Sequence, residues 1–166
     1  MPIYWIEKNG KTNWGISPAP GGGDKLQEEL QGWHSLRVHT VVSLLTNEEV
    51  NELDLQEEEQ LCRKYMFEYI QFPIKDMGVP HDTAGISALI EKLNFRLETA
   101  NTVLIHCRGG IGRSSIIAGA LLLRRAHTLE NAMKKISEQR GCEVPETEGQ
   151  KQWLKNPTLV FPKKML

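Results

Sequence analysis

Cysteine is scarce in this 166-residue sequence: there are three, at positions 62, 107 and 142. An odd number spread so widely is no disulfide framework, and neither a Cys-x-x-Cys pair nor paired histidines suggest a structural metal. No charge of one sign dominates. Lys plus Arg is 20 and Asp plus Glu is 21, a net charge of −1, which argues against a general nucleic-acid binder. Long apolar runs are missing, since nothing approaches the roughly 18 residues that span a bilayer. The start, Met1-Pro2-Ile3-Tyr4-Trp5-Ile6-Glu7, lacks the basic segment and long apolar stretch of a secretory leader. The expectation is a cytoplasmic protein with free thiols, engaging neither membrane nor nucleic acid and needing no metal or cofactor. With 40% apolar and 25% charged residues, the chain can build one domain, 1–166, around its own core.

What is present alternates strands with helices. Ile3 to Ile6 and Trp14 to Ile16 flank Asn9-Gly10, a hairpin pattern, and with the Pro18–Gly23 breaker cluster they make residues 1–23 an N-terminal hairpin and loop. Asp24 reads as the N-cap of a helix to about His34. Val38 to Leu45 reads as a buried strand, Asn47-Glu48-Glu49 as a short helical turn, and Gln56 to about Phe67 as a helix with Leu61, Tyr65 and Met66 inward. The run Glu57-Glu58-Glu59 reads as its solvated face. Glu68 to Ile74 alternates as a strand, and Thr83 to Leu97 carries Ile86, Leu89, Ile90, Leu93 and Leu97 at helical spacing. Thr102 to Ile105 is the clearest buried strand. Helices follow over Ile116–Arg125, from the Thr128 cap to about Gln139, and over Glu146–Leu154, with 157–166 left as a loose tail. This order predicts an α/β fold with a central, mostly parallel sheet flanked by helices.

The informative stretch is His106-Cys107-Arg108-Gly109-Gly110-Ile111-Gly112-Arg113-Ser114, where a strand passes through a glycine-rich turn into a helix. Successive backbone N–H groups of such a turn point into one concavity, and the helix N-terminus adds partial positive charge. Glycines at 109, 110 and 112 suit the positive φ and close approach this requires. Arg113 supplies a planar guanidinium that forks onto a phosphoryl group. A thiol at the floor of that cradle feels the same field, and a thiolate beneath a bound phosphate is a nucleophile aimed at phosphorus. The plainer alternative is a buried structural thiol beside an ordinary turn. Cysteine, then arginine six places on, then serine, all after a buried strand, favours the chemistry.

The pattern His106-Cys107-x5-Arg113-Ser114 resembles the signature of the cysteine-based protein tyrosine phosphatases. From about Val41 to Leu154 the chain is similar to their small dual-specificity branch, in particular the cyclin-dependent kinase inhibitor 3 group. Phe72-Pro73-Ile74-Lys75-Asp76 and Val144-Pro145-Glu146-Thr147-Glu148-Gly149-Gln150 carry this likeness beside the signature. The resemblance implies a phosphatase-like fold, no cofactor, a phosphorylated protein or peptide as substrate, and a phosphocysteine intermediate. It implies Cys107 as nucleophile, residues 108–113 as the phosphate cradle, and Asp76 as a general acid on a loop, with Asp82 as the rival. Ser114 matches the hydroxyl that bonds the cysteine sulfur, and Gln150 the glutamine that places the hydrolytic water. His106 reads as a supporting residue that orders the loop through backbone groups, and Arg108 as either a substrate-facing cation or a solvated arginine.

Three other functions stay open on the sequence. A phosphoinositide or other non-protein phosphatase is disfavoured by the absence of lysine between Cys107 and Arg113. A non-catalytic phosphate-binding module would not need Cys107, Arg113 and Asp76 together, and a sulfurtransferase would not need Asp76. Cys62 and Cys142 are the two candidates for pairing with an oxidised Cys107, and the sequence places neither of them within its reach.

Overall fold

The computed structural model describes residues 1–156, so the tail expected over 157–166 lies outside the described residues. The chain opens with β1 (Tyr4–Lys8) and β2 (Asn13–Ser17) as an antiparallel hairpin. Gly10 takes φ 83° at its turn. A short 3-10 turn over Gly23–Lys25 leads into α1 (Leu26–Ser35). Asp24 therefore lies inside that turn and caps nothing, which corrects the expected cap. β3 (Thr40–Ser43), α2 (Asn47–Glu52), α3 (Glu58–Lys64), β4 (Glu68–Gln71) and α4 (Thr83–Glu98) follow. The chain continues through β5 (Thr102–His106), α5 (Arg113–Arg124), α6 (Leu129–Arg140) and α7 (Glu148–Leu154).

The five strands are ordered β1-β2-β5-β3-β4, and every pairing except β1 with β2 is parallel. This is the mostly parallel α/β sheet that the alternating pattern predicts. β5, buried along its whole length, lies between β2 and β3. Its C-terminal end is thus a crevice between two strand ends, where ligands of open α/β sheets bind.

Alternation along the strands separates two cores. Val42, Val103 and Ile105 pack with Ile90, Leu93, Ile117 and Leu121 of α4 and α5. Val41 and Leu104 pack on the other face with Leu30, Trp33 and Cys62 of α1 and α3. α5 is buried from Arg113 through Leu122, which explains why its sequence shows no polar face. Among the described residues no helix is long and apolar enough to cross a membrane.

Three expected features differ. β4 ends at Gln71 instead of Ile74, because Pro73 has no N–H for the ladder. Met66 is 89% exposed, turned outward by a left-handed φ of 61° just past the end of α3. Glu58 is fully buried instead of solvated. It lies one helical turn before the buried Cys62, on the face of α3 that meets the sheet.

At the edge of the sheet Glu68 binds Arg96 and Lys92 of α4, at 2.7 and 2.8 Å. The Arg96 hydrogen bond, aided by Lys92, pulls the Glu68 carboxyl from 4.5 down to about 2. A depressed folded value stabilises the fold above the unfolded value and is lost as pH falls. Glu68→Gln is therefore expected to lower Tm at neutral pH, by an amount matching about 1 kcal/mol for a half-exposed cluster. Thermal melts should show the gap to wild type closing between about pH 4.5 and 2. A gap that persists at pH 2 would contradict the assignment.

Candidate active site

Cys107 follows directly on the last residue of β5 and is 2% exposed. Its Sγ accepts a hydrogen bond from the Gly110 N–H at 3.2 Å and lies 3.4 Å from Ser114 Oγ, itself fully buried. Residues 108–112 curl around it before α5 begins at Arg113. The carbonyls of this loop are held on the outside. Arg108 O accepts from the Ala19 N–H at 3.2 Å. Arg140 of α6, stacked 4.2 Å from the Tyr4 ring, donates to Gly110 O at 2.9 Å and Gly109 O at 3.2 Å. The C=O and N–H of one planar peptide point in opposite directions. Anchoring these three carbonyls therefore turns the N–H groups of Gly109, Gly110 and Ile111 away from Ala19 and Arg140, to the inner side of the loop, where the Gly110 N–H meets the sulfur.

Only Gly110 of the loop glycines needs positive φ. It has φ 66°, and a Cβ there would stand 2.7 Å from backbone atoms of Ser17 and Pro18. At Gly112 the constraint is contact, since a Cβ would meet the Gln150 amide nitrogen at 2.9 Å. Gly109 has ordinary room.

Arg113 is 2% exposed and nearly every donor is placed. Nη1 and Nη2 donate to the two oxygens of Glu49 at 2.6 and 2.8 Å, a bidentate pair. Nη1 also reaches Ile74 O at 2.9 Å, and Nη2 reaches Asp76 Oδ1 at 2.9 Å. Burial works against the Arg113 charge, but Glu49 and the other negative groups override it and hold the guanidinium above its ordinary value. Burial likewise pushes the Glu49 carboxyl up. Bonds from Arg113 and the Thr46 N–H win, leaving it below the usual carboxylate range. Glu49 also closes the capping box of α2 with Thr46, so one carboxylate orders a helix start and the arginine together.

Asp76 lines the same cavity as Cys107 and Arg113, a space of about 190 Å³ bounded also by Met77, Arg108, Gly109, Ile111, Gly112 and Glu146. Asp82 does not reach it and instead caps α4, accepting from the Gly85 N–H at 2.8 Å. Arg108 is at the rim, with Nη1 2.9 Å from Glu52. Gln150 is fully buried. Its amide donates to Gly78 O at 3.1 Å and accepts from the Thr147 N–H at 3.2 Å, fastening the Asp76 loop to α7. His106 points to the opposite face of the sheet, where Nε2 is 2.7 Å from Glu58 Oε1. Its ring is held by that side chain, in place of the backbone partner expected from the sequence. Cys62 belongs to the core on that opposite face and Cys142 is exposed.

The sequence pointed to neither Glu49 nor Glu146. A Thr-x-x-Glu box was visible at Thr46 and Glu49, but nothing local ties it to an arginine 64 positions on.

The family model for the dual specificity phosphatase catalytic domain matches residues 36–156. The chain belongs to that family. It is 28% identical over 124 residues to cyclin-dependent kinase inhibitor 3 of Sus scrofa, a match covering 74% of this chain and 58% of the relative. The chain thus spans little more than half the length of that relative. Among solved structures it is similar to kinase associated phosphatase carrying serine for its catalytic-site cysteine. That match has a TM-score of 0.83 and 25% identity, over 93% of this chain and 92% of the other. The active form of Tk-PTP superposes with a TM-score of 0.76 at 25% identity, covering 92% and 93% of the two chains.

Proposed function

We propose that this dual specificity phosphatase family member hydrolyses phosphate monoesters of proteins, on tyrosine alone or on tyrosine and serine or threonine, through a phosphocysteine. The observation that carries this is the convergence of Cys107, Arg113 and Asp76 on one cavity. The phosphoryl group is received by the inward N–H groups and Arg113. The Cys107 thiolate attacks phosphorus in line, forming the P–S bond as the ester P–O bond breaks, and Asp76 gives its proton to the leaving oxygen. Water then attacks phosphorus while Asp76 takes its proton. The P–S bond breaks, inorganic phosphate leaves, and the Ser114 hydroxyl donates to the departing thiolate. The cradle and Arg113 supply the positive charge the transition state needs.

Binding requires one exchange. Asp76 occupies a donor of Arg113; a phosphoryl oxygen taking that N–H frees the carboxyl to face the leaving group. Arg108 is turned to Glu52, which lowers the positive potential a polyphosphorylated headgroup would want. The likeness to kinase associated phosphatase supports a phosphorylated protein, such as a kinase, as substrate. Three unpaired cysteines support a reducing, cytoplasmic setting.

The test is phosphate release, in chelator, from phosphotyrosine, phosphothreonine and phosphoserine peptides and from phosphoinositide vesicles. Turnover of peptides is the expected result. Turnover of lipid alone would replace the protein substrate with a phosphoinositide. Release from none of them by folded protein would leave a phosphate-binding module.

A further inference from the structure

Two fully buried titratable groups take no part in the steps above. The Glu58 and His106 side chains are 1% and 0% exposed and meet at 2.7 Å. The Tyr69 hydroxyl reaches the second Glu58 oxygen at 3.4 Å. The Trp33 ring is tilted over His106 at 6.2 Å between centroids, and His106 Nδ1 has no protein partner.

The fold does not call for a carboxylate at position 58. Taking one out of water is expensive, and a set of apolar side chains at 58, 69 and 106 together would fill such a site without that penalty. An acidic residue near the start of α3 also favours the helix, but exposed Glu59 in the same turn provides that, bonded to Arg63. What Glu58 touches is the residue immediately before the nucleophile. His106 is clamped in the sheet between Ser17 of β2 and Ser43 of β3, and its carbonyl accepts from the Leu44 N–H at 3.0 Å. Neighbouring side chains of a strand leave on opposite faces. A ring fixed below the sheet at 106 therefore fixes the peptide that sends Cys107 into the cradle above it.

We propose that Glu58 is a positioning residue for Cys107, acting by holding the His106 imidazole through its Nε2–H. The inference rests on the phosphocysteine reading and extends it to a residue 49 positions from the nucleophile in sequence. Glu58→Gln keeps an oxygen for that N–H but removes the charge, which roughly halves the strength of such a bond. In the full chain, kcat on a turned-over phosphopeptide is expected to fall by roughly 3- to 10-fold, since small misplacements of reacting groups are felt strongly. KM should stay within about twofold, because the groups holding phosphate are untouched. The Nε2 proton of His106, bonded to a buried carboxylate, should give a downfield, slowly exchanging NMR resonance that moves upfield in the variant. Iodoacetamide labelling of Cys107, followed by mass spectrometry, should change several-fold in rate without any substrate present.

A shifted Nε2 resonance with unchanged kcat and unchanged labelling would overturn the proposal. So would a Glu58→Gln chain that fails to fold, because the carboxylate would then serve the fold itself. A wild-type chain that releases no phosphate would instead sink the phosphatase reading, and the labelling rate would still judge Glu58.

Discussion

Replacing Cys107 with serine is expected to lower phosphate release by about 10⁶-fold, the scale on which loss of an enzymic nucleophile is felt. The geometry gives two reasons. Attack needs an ionised atom at the floor of the cradle, and a serine hydroxyl, far less acidic than a thiol, stays protonated there. No second thiol is on hand either: Cys62 lies in the core on the other face of the sheet and Cys142 is exposed. Binding should survive, because Arg113, its Glu49 clamp and the inward N–H groups remain. Calorimetry with a phosphopeptide should then give a Kd within a few-fold of wild type beside a flat phosphate-release trace. Residual turnover within about a hundredfold of wild type would place the nucleophile elsewhere.

Asp76→Asn is expected to slow hydrolysis of phosphopeptides by about 10² to 10⁴, the usual weight of a positioned general acid. An amide cannot hand a proton to the leaving oxygen. The loss should shrink as that oxygen becomes a better leaving group, so an aryl phosphate of an acidic phenol should be cut far less than a phosphoserine peptide. This dependence on leaving group separates proton donation from mere damage to the Arg113 contact, which would affect all substrates alike. Asp82→Asn is the matched control: its carboxylate caps α4, and asparagine caps as well, so kcat should hold. Equal losses across leaving groups would remove Asp76 from the acid role.

The parts of the fold legible in the sequence are those whose cause is local. Thr102 to Ile105 reads as a strand because four apolar or β-branched residues stand together, and it occupies the middle of the sheet. The turn from 107 to 113 reads as an anion cradle because its glycines and arginine are contiguous. Glu58 illustrates the opposite case. Within an acidic run it has the look of a wet face, and only the packing of α3 against the sheet turns that one residue of three inward. His106 then acquires a partner 48 positions away, a pairing that no periodicity encodes. Met66 failed for another reason, since its inward placement assumed that α3 continued through it. Gln150 reads as a surface helix residue or a water-placing group; it is buried, with one amide N–H on Gly78 and its oxygen on the Thr147 N–H, contacts that depend on the packing of α7 against the Asp76 loop.

The pairing of each arginine at the cavity with a carboxylate bears on how fast a substrate finds it. Arg113 faces Glu49 and Asp76, Arg108 faces Glu52, and Glu146 stands at the rim. Opposite charges a few ångströms apart leave little potential beyond a Debye length, about 8 Å at physiological salt. For the proposed phosphorylated substrate these pairings predict no long-range pull of the kind an open basic funnel exerts. Association should then run at the unsteered rate of ordinary protein association, about 10⁵–10⁶ M⁻¹s⁻¹, with little dependence on ionic strength. Discrimination between substrates would fall on how long each stays once its phosphoryl group has taken the Arg113 N–H from Asp76.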